Sequence, residues 1–452
     1  MWFSRYVILW LAWLTISTSW AQPARLTDLL KQAEQTYPAL KAARYRLDAL
    51  GKNDALIQQT ARPSLDAAYG ANLATYNNIT GLFFPPFVLP ISGPPSASNS
   101  YQPVAGSSAS LLLGWQPISF GKRDAQRAVA GAEVRASEAG LGNERFNLNI
   151  RLISAYLDQI LFQELLGVYR QNIQRAQTVL TQGRVLVANG LRPASDTALL
   201  RSELSRAGVE LLQAQQALQT AQINLGEFVT GTASQVQADS LLFTRLPALP
   251  GQPDSLSAHP AIRLAEQQIR VSESKEVLVQ KARLPTLSLW ATTYARGSGV
   301  SATGEVKAAE GLLLTRLNYG AGLQLALPLL NGPEVRLRGQ QQHLLTSAFA
   351  EELNQTRLQL STRLQLAQTS LQNALLVARE LPIQVQANQT AYNALQTRYT
   401  NGLVTLTDLA QAQYGLVRAE TDLRRAYWSA WQGLLQQAAA TGDLSQFLTQ
   451  LP

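Results

Sequence analysis

The chain has 452 residues, no cysteine and a formal charge of +8. Without cysteine there can be neither a disulfide nor a lipid anchor on an N-terminal cysteine, so stability must come from packing. The sequence holds no dense Lys/Arg block, P-loop, dinucleotide fingerprint or zinc-ligand spacing, which argues against nucleic-acid partners and leaves catalysis, a metal site or a cofactor without support.

Residues 1–21 read as a secretory signal. Arg5 supplies the positive start, Val7 to Leu14 the apolar run, and Ser19-Trp20-Ala21 the small-x-small cleavage site. The mature chain would begin at Gln22 with a charge of +7, since Arg5 is the one charge lost. The apolar run is shorter than the roughly 20 residues a membrane helix needs. No later charge-free stretch reaches that length, so an exported chain is expected to be periplasmic or to enter the outer membrane as a barrel.

Residues 22–230 form a first unit. A helix is expected over 38–62, then strands over about 64–76 and 107–117. Between the strands lies Pro-, Gly- and Ser-rich sequence, including Phe83-Phe84-Pro85-Pro86 and Ser92-Gly93-Pro94-Pro95-Ser96, the composition of an exposed loop. A long helix follows from Gly121 to Gly190, with Phe146, Ile150, Ile153, Leu157 and Ile160 at the 4-3-4-3 spacing of a coiled-coil seam. A straight helix of that length would extend ~100 Å. Asn189-Gly190-Leu191 turns the chain into a further helix, over about 193–230.

A linker over 231–258, with three prolines, separates this from a second unit over 259–441. Here a helix is expected over 260–284, strands over 285–295 and 313–328, and a long helix from Gly332 to Gly402. Pro382 falls inside that helix and should kink it or sit where it bends. Asn401-Gly402-Leu403 makes the second turn, a helix follows to 441, and 442–452 is a tail. His259 and His343 are far apart in sequence and read as structural or solvated.

The two units are copies. Pro38 and Pro63 recur as Pro260 and Pro285, a displacement of 222; Pro117 and Gly121 recur as Pro328 and Gly332, displaced by 211; Asn189-Gly190-Leu191 with Asp196 recurs as Asn401-Gly402-Leu403 with Asp408, displaced by 212. The length lost between the copies falls in the loop between strands, where insertions are tolerated. The shorter helix before each strand region and the one after each turn together nearly equal one long helix. Two short helices are therefore expected to stack end to end beside each long one, with the linker at mid-height.

The clearest strand places Leu317, Tyr319, Ala321, Leu323, Leu325 and Leu327 on one face and Asn318, Gly320, Gly322, Gln324 and Ala326 on the other. Apolar-out, polar-or-small-in alternation over about 10 residues is the pattern of a membrane barrel strand. Trp115, Trp290 and Tyr319 are candidates for an interfacial aromatic girdle. Four strands cannot close a barrel in lipid, so several protomers must each contribute four.

In this order, and twice over, these features resemble the TolC-type outer membrane factor, or outer membrane efflux protein, family. The matching features are the Pro-Ala-Leu/Ile helix starts, Arg62-Pro63-Ser64-Leu65 and Leu284-Pro285-Thr286-Leu287, Gln116-Pro117 and Leu327-Pro328, and the two Asn-Gly-Leu turns. The resemblance implies a mainly α protein with a membrane β-barrel: a homotrimer whose duplicated helical hairpins form an α-barrel joined to a 12-stranded β-barrel. It implies an outer-membrane channel of an efflux or type I secretion system, not an enzyme, contacting outer-membrane lipid, a periplasmic adaptor and an inner-membrane transporter of the RND, ABC or similar type. Gly190, Leu191, Gly402 and Leu403 match the family's adaptor-docking turns. Asp196 and Asp408 read as helix caps or gate residues, Thr405 to Asp408 as a capping box, and Arg398 as a latch to a neighbouring Asp. Arg184 and Arg192 also fall near the turns, and few carboxylates line up there as an acidic filter. The other readings are a periplasmic adaptor, which would have one hairpin flanked by lipoyl-like strands, and a coiled-coil scaffold without a pore, which would not need strands with a period of two.

Overall fold

A computed structural model describes residues 26–75, 77, 98–229, 240–251, 256–301, 303 and 305–451. The signal at 1–21, Tyr76, most of the first inter-strand loop and much of the linker lie outside the described residues. The elements in chain order are α1 (Leu26–Thr36), α2 (Pro38–Gln59), β1 (Ser64–Ala74), β2 (Val104–Ile118), α3 (Lys122–Ala188), α4 (Ala194–Gly226), α5 (Pro260–Gln280), β3 (Thr286–Ser298), β4 (Arg316–Ala326), α6 (Gly332–Thr400), α7 (Leu406–Thr441) and α8 (Ser445–Leu448). The chain divides into two compact units. No helix among the described residues is long and apolar enough to cross a membrane.

One unit, Asp48–Arg135 with Ile269–Ala348, holds the sheet. Its four strands run antiparallel in the order β1-β2-β3-β4. Pro63 and Pro285 stand just before β1 and β3, where a missing N–H costs no ladder bond. The register sorts side chains into two faces. Leu65 pairs with Leu113, Leu113 with Ala291 and Ala291 with Ala321; Leu111, Tyr319, Leu323 and Leu325 share this apolar face. Asp66, Ser110, Thr292, Asn318 and Gln324 share the other. Leu65, Tyr69, Leu73, Leu317, Tyr319, Leu323 and Leu325 are all exposed, so most of the apolar face is uncovered among the described residues.

The girdle candidates divide between the faces: Trp115 and Tyr319 share the apolar one, and Trp290 does not. It pairs with Gly114 and Gly322, and its indole occupies the space where a Gly322 side chain would begin, 2.7 Å from the position of a Cβ there. The period of two decides this: Leu289 and Ala291 take the apolar face, so Trp290 must take the polar one. The Gly- and Ser-rich stretch 296–311, between the third and fourth strands, is not all irregular. β3 continues to Ser298, and a 3-10 turn at Ala308–Leu312 folds back onto the apolar face, where Ser107 Oγ donates to the Gly311 carbonyl at 2.9 Å. Gly297 and Gly311 have no room for a side chain, because the carbonyls of Leu313 and Ala105 stand against them.

In the same unit α2 is tied to the start of α3 by Arg127 and Asp54 at 2.7 Å, and α5 to α3 by Lys275 and Glu133 at 3.1 Å.

The other unit contains the hairpins α3–α4 and α6–α7 beyond residues 136 and 349. Its core gathers Leu148, Leu152, Ile153, Tyr156, Leu157 and Ile160 of α3 with Leu371 and Leu375 of α6 and Trp431 and Leu434 of α7. Leu148, Leu152 and Tyr156 fall outside the expected seam, so this part of α3 buries more than one stripe. A forked ion pair joins α3 to α7: Arg175 donates to Glu420 at 2.6 and 2.9 Å, both side chains mostly shielded from solvent. The tail packs here too, with Phe447 edge-on to Trp431 and the Trp431 N–H donating to the Leu242 carbonyl at 2.8 Å. Pro382 lies inside an α6 that continues unbroken from Gly332 to Thr400.

Candidate functional site: the paired helix turns

The long helices α3 and α6 end in the same way, for the same local reason. Gly190 and Gly402 have φ of 71° and 79°, a conformation glycine adopts without strain. Leu191 N–H donates to the Leu186 carbonyl at 2.9 Å and Gly190 N–H to Val187 at 3.0 Å; Leu403 donates to Arg398 at 2.9 Å and Gly402 to Tyr399 at 3.1 Å. Each turn is thus a Schellman cap that satisfies the last carbonyls of its helix. Capping leaves Leu191 and Leu403 at the turn, 67% and 71% exposed. An apolar side chain held out on a rigid cap is a ready contact for a partner.

The helices that follow start differently. Thr405 and Asp408 form a reciprocal capping box on α7, with Thr405 N–H donating to Asp408 at 2.9 Å. The Thr405 hydroxyl and N–H hold the Asp408 carboxyl below the usual carboxylate range. Asp196 occupies the equivalent place on α4 but is no cap. Pro193 stands at the N-cap and has neither a side-chain oxygen nor an N–H to exchange with it. Asp196 instead accepts from the Tyr399 hydroxyl at 3.3 Å.

Tyr399 is fully buried and sits beneath Arg192. The Arg192 guanidinium lies 4.6 Å from the ring centroid and donates to the carbonyls of Tyr399 at 3.0 Å and Val404 at 2.6 Å. Arg192 of the first turn therefore grips the second turn, and Asp196 holds the tyrosine from the other side. Burial, followed by the nearby Asp196 charge, raises the Tyr399 pKa, so its hydroxyl stays a donor at neutral pH. Around this bracket Val179, Leu180, Leu200, Leu406, Leu409 and Leu416 form a separate apolar cluster. Gly183 leaves the gap that Leu200 fills. Arg398, expected as a latch, is exposed and forms no ion pair within the chain among the described residues.

The signal for Arg192 and Tyr399 was present in the differences between the copies. At the displacement of 212, Arg192 faces Val404, Tyr399 faces Val187 and Pro193 faces Thr405. Matching positions make the caps. The mismatched ones join one turn to the other.

The model of the outer membrane efflux protein family matches residues 29–231 and 253–442. No curated protein matches the chain by sequence. Among solved structures the chain is similar to the outer-membrane channel OprN, with 17% identity and a TM-score of 0.72 over 93% of this chain and 90% of that one. It is similar to the CmeC outer membrane channel of Campylobacter jejuni, with 13% identity and a TM-score of 0.72 over 92% and 85%. It is also similar to the outer membrane protein VceC of Vibrio cholerae, with 17% identity and a TM-score of 0.70 over 92% and 96%. At these identities the likeness is one of fold.

Proposed function

The chain belongs to the outer membrane efflux protein family, and from that premise we propose that three copies join their sheets into one 12-stranded barrel in the outer membrane. Its role is that of an outer-membrane efflux channel with a periplasmic helical extension; it is a transport duct and not an enzyme. The observation that supports a barrel shared between copies is the sheet itself, and the number three follows the family resemblance. β1 and β4 are its two edges, and neither has a strand partner among the described residues. In hydrocarbon such edges would leave backbone groups unsatisfied. Joining β1 of one copy to β4 of the next removes both. The apolar face then meets lipid, with Trp115 and Tyr319 as girdle residues, and the polar face with Asp66, Thr292, Asn318 and Gln324 lines the lumen.

In this reading transport is passive, and an inner-membrane pump supplies the energy. The turns bearing Gly190, Leu191, Gly402 and Leu403 dock a periplasmic adaptor. Arg192, Tyr399 and Asp196 hold the two turns of one protomer together, and Arg398, exposed beside them, bonds a neighbouring copy. Opening shears the hairpins past one another. The chain has no cysteine, so single cysteines can be scanned along β1 and β4 without background. Pairs on the two edges should give a covalent ladder ending at trimer. A scan that crosslinks no pair would refute the shared barrel.

A further inference from the structure

The charge of the chain is concentrated. Four segments meet where the sheet passes into helix: 60–64, 117–124, 280–286 and 327–338. They hold seven Lys and Arg against Asp124 and Glu334, a surplus of five in a chain whose total is +8. At the other end of the sheet, the described residues give Arg296, Lys307 and Arg316 against Glu305 and Glu310, a surplus of one. Within the first group Arg123 is used internally, donating to the Gln116 carbonyl at 2.6 Å, and Arg338 pairs with Glu334 at 2.6 Å. Arg62, Lys122, Arg283 and Arg336 are exposed, and of these Arg283 donates a long bond to the Gly332 carbonyl at 3.4 Å.

Apolar side chains stand at the same level. Leu329 and Leu330 are 80% and 93% exposed, and Ile118 and Phe120 are exposed in the first copy. Arg283, Arg336 and Leu329 line one cleft of about 250 Å³, with Asn331 beside them. Two guanidinium groups suit a phosphate, because their planar forks can donate to its oxygens in pairs. A leucine wall is of no use to inorganic phosphate. It suits a phosphate that carries hydrocarbon.

We propose that this junction binds anionic phospholipid. The headgroup phosphate lies between Arg283 and Arg336, with the acyl chains against Leu329 and Leu330. The other exposed bases widen the site into a collar around the barrel. The inference rests on the membrane reading above, in which the junction lies at the leaflet facing the periplasm. Each basic side chain near an anionic surface strengthens binding about five-fold, and salt weakens the effect.

The test uses the full-length protein, extracted in neutral detergent and returned to vesicles of phosphatidylcholine alone or with phosphatidylglycerol. Lipid retained through a second extraction is then counted by native mass spectrometry. Phosphatidylglycerol should be retained over phosphatidylcholine. Arg283→Gln/Arg336→Gln should lower that preference at least ten-fold, and Arg283→Lys/Arg336→Lys, which keeps the charge, should retain part of it. Equal retention of both lipids by the unaltered protein, or an undiminished preference in the Gln variant, would overturn the proposal. So would loss of the oligomer in the Gln variant with lipid preference intact, since a second copy would then be what covers the cleft. Failure to enter either kind of vesicle would instead overturn the membrane reading, and the proposal with it.

Discussion

Arg192 of the first turn holds the second turn through its backbone and a ring. It donates two charge-assisted hydrogen bonds and covers an aromatic face. Arg192→Ala should cost the turns about 2 kcal/mol, and Tyr399→Phe, which keeps the ring and loses only the bond to Asp196, about 1 kcal/mol. Hydrogen exchange across 398–406 should accelerate in that order; equal, unchanged rates would mean that the bracket does not hold the turns. His259 gives a second residue-scale case. It is buried at the start of α5, where its Nδ1 accepts from Ala261 N–H at 3.1 Å and its Nε2 lies 3.1 Å from the Ala439 carbonyl. Nδ1 must be unprotonated to accept, which puts the proton on Nε2, and burial holds the pKa below its usual value. A lowered folded pKa means that the unfolded chain takes up the proton first. His259 thus contributes stability that is present above pH ~6.5 and is lost as pH falls through the folded value. Thermal stability should decline on acidification from about pH 6.5, and His259→Asn should remove much of that slope. The sequence placed His259 beside Pro260 but could not show its burial, which depends on α7, 180 residues away.

The turns allow capping and docking to be separated at the level of the element. A side chain added at Gly190 or Gly402 would meet nothing within 4 Å, so the cost of Gly→Ala there is conformational alone. Each substitution should destabilise its turn by roughly 1 kcal/mol. Leu191→Asp and Leu403→Asp should leave thermal stability unchanged, because both side chains are exposed, and should still lower efflux of a dye from cells. Normal efflux with both substitutions together would remove these leucines from the docking surface. Acid should also loosen the start of α7. The depressed Asp408 pKa contributes stability above the ordinary carboxylate range, and this is lost as pH falls through the folded value. The elements were largely readable from the sequence because the chain states its plan twice. Helix ends at 188 and 400 fall within two residues of the glycines that announced them. Trp290 shows what aromatic character alone leaves out, since strand parity sets it on the polar face, opposite Trp115. The 3-10 turn over 308–312 depends on a contact with Ser107, about 200 residues earlier, and carries no local signal.

For the whole molecule, one feature demands a partner. A four-stranded sheet with a largely bare apolar face and, among the described residues, two unpaired edges cannot be an end state either in water or in lipid. Composition could not reveal this, since the charged residues lie mainly on the helices and their junctions, and no helix among the described residues is long and apolar enough to cross a membrane. Only parity along short strands carried it. The most direct measurement is the mass of the protein released from outer membranes into mild detergent, taken by native mass spectrometry with and without prior heating. Three copies in the unheated sample, falling to one on boiling, is the expected result. A single copy that stays soluble once detergent is removed would contradict it.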